Sequence, residues 1–223
     1  MSAAARRERR SVTGRDELGP YTLLRLERGG LDPGAPGQFF MLEAPGCPLP
    51  RPFSLCTAAG GELGFLIDPV GRGTRALASL ERGERIAVFG PLGRGFRLAV
   101  EAPLLVGGGI GMAPLPYLAE RLGGAPAVLG FRSRWHAEAA VLLPDAEVVV
   151  DPLLVTDVLP AGRDLLACGP PAMLELLHSR FPTAQLAYEA PMACGYGACY
   201  GCVVEQDGKL ERLCLAGPVL CAS

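Results

Sequence analysis

Over residues 21–89 the apolar positions fall in short runs that either alternate with polar residues or cluster in fours. Residues 21–27 (YTLLRLE), 38–43 (QFFMLE), 53–57, 62–69 and 85–89 each predict a strand. Between them stand turn signals: Gly29-Gly30, Asp32-Pro33-Gly34, Gly60-Gly61 and Gly90-Pro91. Short strands at this spacing, with no helical period among them, predict an antiparallel β-barrel over residues 1–98. The opening stretch, 1–17, is basic through Arg6, Arg7, Arg9 and Arg10 and has no apolar period, so it reads as a flexible, solvated arm.

The pattern changes near residue 100. An apolar strand at 103–106 runs into Gly107-Gly108-Gly109-Ile110-Gly111, and a helical period follows from about 114 to 122. Apolar runs at 127–131, 147–150 and 164–167 then alternate with helical patterns at about 136–142 and 170–180. This strand–helix rhythm predicts a Rossmann-like α/β domain with a parallel sheet over 99–182. After Pro182 cysteine and glycine dominate, which marks 183–223 as a third, small module. The fold class is therefore multi-module, β followed by α/β.

Composition narrows the function. The chain has 223 residues, 49% of them hydrophobic, and a formal net charge of −2, which argues against a nucleic-acid binder or a disordered acidic chain. The basic start lacks the apolar stretch of a secretory signal, and no run of about 18 apolar residues occurs anywhere. A cytoplasmic protein that acts without a membrane is expected. In a reducing compartment its 8 cysteines point to metal or redox chemistry rather than disulfides.

Four of those cysteines carry the strongest signal. Cys194, Cys199, Cys202 and Cys214 follow the spacing C-x4-C-x2-C…C of plant-type [2Fe–2S] ligation. Gly195, Gly197 and Gly201 let the intervening loop turn tightly and aim backbone N–H groups at sulfur. A structural zinc site and ordinary buried cysteines are the competing readings. Cys47, Cys56 and Cys221 fall outside the set, and Cys56 reads as a small buried hydrophobe.

Other segments suggest nucleotide contacts. A glycine turn between strand and helix, as at 107–111, lets a phosphate approach the backbone, although GGGIG lacks the full G-x-G-x-x-G spacing and such turns also serve packing. Cys168-Gly169-Pro170 follows another predicted parallel strand and would share its edge with that turn. In the first domain Arg51-Pro52-Phe53-Ser54 offers a cation and a hydroxyl, and Gly71-Arg72-Gly73-Thr74 offers open backbone with a second hydroxyl. Both would suit a pyrophosphate, and a surface ion pair is the alternative for Arg51. His136 and His178 are the only histidines; neither lies near a nucleophile or an acid–base partner, and both read as structural or surface residues.

Taken in order, Arg51-Pro-Phe-Ser, Gly71-x-Gly-Thr, Gly90-Pro-Leu-Gly-x-Gly-Phe96, Gly107-Gly-Gly-Ile-Gly-x-Ala-Pro-Leu115, Cys168-Gly-Pro170 and the four cysteines resemble the ferredoxin-reductase-like electron-transfer subunits. Within that family the pattern is most similar to the subunits of NAD-dependent dihydroorotate dehydrogenases. The resemblance covers about residues 18–220. It implies that Arg51, Pro52, Phe53, Ser54, Leu66, Ile67, Asp68, Gly73 and Thr74 contact FAD. It implies NAD at Gly107, Gly108, Gly109, Gly111, Cys168, Gly169 and Pro170, and a [2Fe–2S] cluster on Cys194, Cys199, Cys202 and Cys214.

The implied function is a relay. A nicotinamide exchanges two electrons as hydride, a cluster takes one at a time, and a flavin handles both, so FAD converts between them. The implied partner is an FMN-containing dihydroorotate dehydrogenase catalytic subunit, in a heterotetramer of two of each, with electrons leaving as NADH in pyrimidine biosynthesis. No residue set here performs carbon chemistry on an organic acid, which fits a subunit of an oxidoreductase rather than the whole enzyme. Sister subunits of a hydrogenase, sulfite reductase or transhydrogenase-type complex would show much the same motifs. The pattern departs from the family at three places. The segment 148–157 lacks an acidic, glycine-containing loop, Arg132 and Arg134 stand where the 2′-phosphate of NADP would be received, and Leu220 replaces an expected aromatic residue.

Overall fold

The computed structural model describes residues 5–206 and 208–221. Its first half comprises strands β1 (Arg6–Leu18), β2 (Tyr21–Glu27), β3 (Phe39–Leu42), β4 (Arg51–Ser54) and β5 (Glu62–Ile67), helix α1 (Arg72–Ala78) and strand β6 (Arg85–Leu92). They form one antiparallel sheet in the order β4-β3-β6-β1-β2-β5. The sheet curls until its edges meet: beyond β4, the Cys56 N–H donates to the Gly64 carbonyl at 2.8 Å, and Thr57 bridges Gly64 of β5. The expected barrel is thus present. Alternation sets its faces, with Phe40 and Leu42 of β3 pointing into the barrel core and Phe39 and Met41 pointing outward.

The flexible arm expected at the start is not what residues 6–17 form. They belong to β1, which pairs Arg6–Ser11 with β6 and then, past an irregularity at 12–14, pairs with β2 through Leu18. Only Val12 is buried on this strand, so hydropathy gives no warning of it. Backbone ladders on both sides fix the strand, and its charges pair locally, Arg10 with Glu8 and Arg25 of β2 with Asp16. Residues 1–4 of that expectation lie outside the described residues.

The second half continues with β7 (Pro103–Gly108), a 3-10 turn (Gly109–Met112), α2 (Leu115–Arg121), β8 (Ala127–Phe131), a longer 3-10 segment (His136–Leu142), β9 (Glu147–Val150), a short 3-10 turn (Val155–Asp157), β10 (Asp164–Cys168), α3 (Pro171–Arg180) and β11 (Gln185–Ala187). The hairpin β12 (Val203–Gln206) and β13 (Lys209–Arg212), helix α4 (Leu213–Ala216) and strand β14 (Val219–Cys221) complete the chain. The second sheet has the order β14-β11-β10-β7-β8-β9, parallel except for β14. From β7 the chain runs to β8 and β9, then returns to β10 on the other side. The topological switch therefore lies between β7 and β10. The sheet also runs past the boundary expected at residue 183, because β11 and β14 both belong to it.

The three parts share cores. Tyr21, Leu23 and Leu66 of the barrel pack with Leu105, Leu115, Leu129 and Leu166 of the α/β part. Phe39, Met41 and Leu92, on the outer face of the barrel, pack with Cys202, Leu213 and Cys214. Each buried Leu or Phe contributes about 1.5–3 kcal/mol, so these junctions hold the modules in fixed register.

Candidate functional site

The cysteine loop spans 194–202 and closes on α4. Its path requires left-handed backbone at Gly195 and Gly197, with φ of 79° and 85°, and at Tyr200, with φ of 57°. At Gly195 a side chain is excluded twice over, since a Cβ there would lie 2.7 Å from Met41 on β3. Arg212 braces the loop from β13: it donates to the Gly197 carbonyl at 2.8 Å, and its guanidinium lies 4.7 Å from the Tyr200 ring centroid.

This path brings the four cysteines near one another: the Cys199 side chain acts on the Cys194 thiol, and Cys202 and the charge of Cys194 act on Cys214. Burial pushes the Cys194 thiol up, but backbone N–H groups of Tyr196, Cys199 and Ala198 and the Cys199 side chain outweigh it and bring it down to about 6. Burial pushes Cys214 up to about 12, aided by Cys202 and by the charge of Cys194. Among the described residues no three Cys, His, Asp or Glu side chains converge on a single ion. The C-x4-C-x2-C…C spacing and the N–H donors aimed at Cys194 fit a two-iron cluster. Cys199 is exposed while Cys202 and Cys214 are buried, so one side of the loop faces outward.

The residues expected to meet FAD gather at the closure of the barrel. Arg51 opens β4 with its guanidinium against Gly73 of α1, where a Cβ would sit 2.7 Å from Nε. One terminal nitrogen of Arg51 donates to the Leu49 and Pro50 carbonyls. Pro52, Phe53 and Ser54 continue this half-buried edge strand. Thr74 turns its hydroxyl into its own helix turn, accepting from Gly71 N at 2.9 Å and donating to the Gly71 carbonyl at 3.1 Å. Leu66 and Ile67 are fully buried in the cores, so only their backbones can meet a ligand, whereas Asp68 remains half-exposed at the strand end. The expected residues thus lie together at this closure, Leu66 and Ile67 offering only their backbones.

The two glycine loops meet at the carboxyl edge of the parallel sheet, on either side of the switch. Cys168 pairs with Gly107 across β10 and β7. A Cβ on Gly111 would stand 2.5 Å from the Cys168 carbonyl oxygen and 2.5 Å from Gly169 Cα, and one on Gly108 would stand 2.7 Å from Pro170. Gly107 is walled by Leu129 and Leu115, and Cys168 is buried, its thiol pushed up first by burial and then by Glu189. Gly109, with φ of 55°, and Pro170 remain accessible. Gly108 and Gly111 therefore let the two loops touch. The short connection after β9 is confirmed: Asp157 caps it by accepting from Leu154 N at 2.9 Å, and Val155 packs on Gly130. A cavity of about 440 Å³ lined by Arg97, Glu101, Asp164 and Gln185 lies at the opposite, amino edge and plays no part in this arrangement.

Two polar features stand beside these loops. His136 takes the structural rather than the surface reading: it is 7% exposed, 5.8 Å from the Tyr21 ring, and hydrogen-bonded to Arg132 and Ser133. Tyr21 is pushed up to about 12, by burial first and then by Asp68, against the pull of Arg132. Glu189, two residues past β11, is exposed, and desolvation by the surrounding protein raises its carboxyl. Neither feature has a sequence motif, because each depends on contacts between strands far apart in the chain.

Comparisons with known proteins follow the same lines. The family described as the iron-sulfur cluster binding domain of dihydroorotate dehydrogenase B matches residues 189–223. A Bacillus caldolyticus protein named dihydroorotate dehydrogenase B (NAD(+)), electron transfer subunit, is 36% identical over 215 residues, covering 82% of this chain and 84% of its own. A Listeria monocytogenes protein of the same name is 36% identical over 217 residues, covering 83% and 85%. A solved structure of an NADH-dependent reduced ferredoxin-NADP oxidoreductase superposes with a TM-score of 0.80 at 22% identity, over 96% of this chain and 88% of its own, a likeness of fold. With the barrel, the switch-point loops and the four cysteines in place, the chain belongs to the family of electron-transfer subunits of dihydroorotate dehydrogenase B.

Proposed function

We propose that this chain carries electrons between a catalytic subunit that oxidises dihydroorotate and NAD(+), through a [2Fe–2S] cluster and FAD. The observation that carries the reading is the cysteine loop seated on the barrel. Gly195 touches Met41 of β3, and Met41 pairs with Pro52 of β4, the strand expected to meet the flavin. One side chain and one interstrand spacing of about 4.8 Å therefore separate the cluster loop from that strand. When bound, the flavin exchanges electrons singly with the cluster and in pairs with the nicotinamide.

The chain's own residues hold and orient these groups. Cys194, Cys199, Cys202 and Cys214 would ligate the two irons, with N–H groups of the loop stabilising sulfur charge. Arg51 and the backbone near Gly73 would receive the flavin pyrophosphate, and the edge at Gly109 and Pro170 would receive the dinucleotide. The exposed Cys199 side, ringed by the exposed Tyr196, Tyr200 and Leu215, would face the catalytic subunit. An FMN-containing partner in a two-plus-two assembly completes the proposal. Among the described residues no helix is long and apolar enough to cross a membrane.

Reconstitution tests the reading. Mixed with the catalytic subunit, the cluster- and flavin-loaded chain should support dihydroorotate-dependent reduction of NAD(+), which neither protein supports alone. Loss of dependence on this chain, or failure with every FMN-containing dihydroorotate dehydrogenase, would sink it.

A further inference from the structure

At the carboxyl end of β8 the chain turns through Arg132, Ser133 and Arg134 into the 3-10 segment that begins at His136. The Arg132 Nε–H donates to His136 Nε2 at 2.6 Å. Nε2 must therefore carry a lone pair, so the neutral ring holds its proton on Nδ1, which lies 2.7 Å from Ser133 Oγ as acceptor. Tyr21 at 5.8 Å and Trp135 at 5.6 Å bracket the ring edge-on and restrict its rotation. Arg132 is exposed, and beyond this hydrogen bond its terminal N–H groups have no partner among the described residues. One edge of the guanidinium is thus fixed to a covered ring while the other stays open.

The place of this pair in the fold gives it a ligand. β8 lies beside β7, with Gly130 opposite Gly108, so Arg132 follows at the same sheet edge as the glycine turn. Tyr21, which touches the His136 ring, has its hydroxyl 3.7 Å from where a Cβ of Gly109 would be. In a dinucleotide fold the end of the second strand meets the adenosine ribose: a carboxylate there takes the 2′-hydroxyl, and an arginine takes a phosphate. Residues 131–137 (FRSRWHA) contain no carboxylate, and Glu138 is occupied by the Gly19 N–H at 3.1 Å. The charges facing His136 are Arg132 on its own turn and Asp68 at the end of β5, with the neutral Tyr21 on β2. Burial and then Arg132 lower the imidazole against the pull of Asp68, so the accepting tautomer persists through neutral pH.

We propose that His136 is a positioning residue that holds the Arg132 guanidinium at the edge of β8 to receive a phosphate of the pyridine dinucleotide, from its pyrophosphate or from a 2′-phosphate. This rests on the nucleotide reading of the carboxyl edge. Calorimetric titration of the cofactor-loaded protein with ADP-ribose and with 2′-phospho-ADP-ribose reads it directly. Arg132→Ala should weaken binding about tenfold, the loss of one charge-assisted hydrogen bond. His136→Ala should weaken it several-fold, and the double variant should be no weaker than Arg132→Ala, because His136 acts through Arg132. His136→Gln, whose Oε1 can accept from Arg132 Nε, should restore most of the affinity. In NADH oxidation with an artificial acceptor, KM should rise in His136→Ala while kcat stays unchanged.

Equal losses for the two probes assign the pyrophosphate, and a loss confined to the second assigns the 2′-phosphate. Wild-type affinity for both probes in His136→Ala overturns the inference while leaving the nucleotide site standing. If His136→Ala fails to fold, Arg132→Ala decides, because an exposed side chain can be removed without unfolding the core, and wild-type affinity there overturns the inference equally. A wild-type protein that binds neither probe overturns the nucleotide reading, and the inference with it.

Discussion

Replacing Gly111 by alanine tests the nucleotide edge at its tightest point. The added Cβ would lie 2.5 Å from the Cys168 carbonyl oxygen and 2.5 Å from Gly169 Cα, both backbone atoms, while ordinary contact begins at 3.4 Å. One loop must retreat by about 0.9 Å, and neither has a flexible side chain to give way. Overpacking of this kind costs about 1–3 kcal/mol. For a chain of this length that lowers the melting temperature by about 2–4 °C per kcal/mol. Because the loops flank the switch point, the displacement should also weaken dinucleotide binding, read by calorimetry, while flavin and iron content per chain stay at the wild-type level. Gly30→Ala is the control, since nothing lies within 4 Å of its added Cβ. Wild-type melting and wild-type affinity in Gly111→Ala would refute the geometry. Lowered melting with unchanged affinity would show that the loops touch only for packing, and would remove the nucleotide from this edge.

Three further outcomes are expected. Cys199→Ser should lose the iron–sulfur absorbance and keep the flavin, since this thiol is exposed and lies in a different module from Arg51; retained iron–sulfur absorbance and iron content would count against the ligand set. Arg212→Met should shorten the lifetime of the cluster in air, because it removes the 2.8 Å hydrogen bond to Gly197 and the contact with Tyr200, worth about 1–2 kcal/mol together. Burial raises the Cys56 thiol from 9.0 to about 12, so the native state resists ionisation that the unfolded chain undergoes freely. The stability this group contributes is complete below pH 9.0 and lost as pH rises towards 12. Denaturant titrations should show a shallower fall over that window in Cys56→Ala than in the wild type, and identical slopes would refute the assignment.

What could be read from the chain was what repeats or is spaced. The apolar runs at 21–27 and 127–131 coincide with β2 and β8 to the residue, because each strand buries most of its own side chains, and the run at 147–150 coincides with β9, which buries only Val149. β1 was illegible for the opposite reason: its neighbours supply the burial, and it contributes backbone hydrogen bonds under a surface of arginines. β14 is three residues long and takes its identity from pairing with β11, which no local pattern announces. At the site, the cysteine spacing pointed to all four sulfurs, and the structure added the backbone N–H groups aimed at Cys194 and the burial of Cys202 and Cys214. The glycine loops were legible as a place, and the structure adds that Gly108 and Gly111 let the two loops touch while Gly107 lies against Leu129 and Leu115. His136 carried no signal, because a lone histidine becomes informative only once its neighbours are known.

The strand order of the barrel bears on how a relay can be arranged. Followed through its closure, the barrel runs β6, β3, β4, then across the Cys56–Thr57 contact with Gly64 to β5, and on to β2. The cysteine loop touches β3 and β6 through Met41 and Leu92, while the glycine turn approaches β2 at Tyr21. The strands expected to hold the flavin, β4 with Arg51–Ser54 and β5 with Asp68, lie between those two contacts. A carrier that exchanges both single electrons and pairs belongs between a one-electron centre and a hydride carrier. The closure of the barrel would supply that intermediate position from two strands that follow one another in the chain but are not paired along their length. β4 and β5 meet there only through the short contact of Cys56 and Thr57 with Gly64, which leaves the edge between the two strands without a continuous ladder.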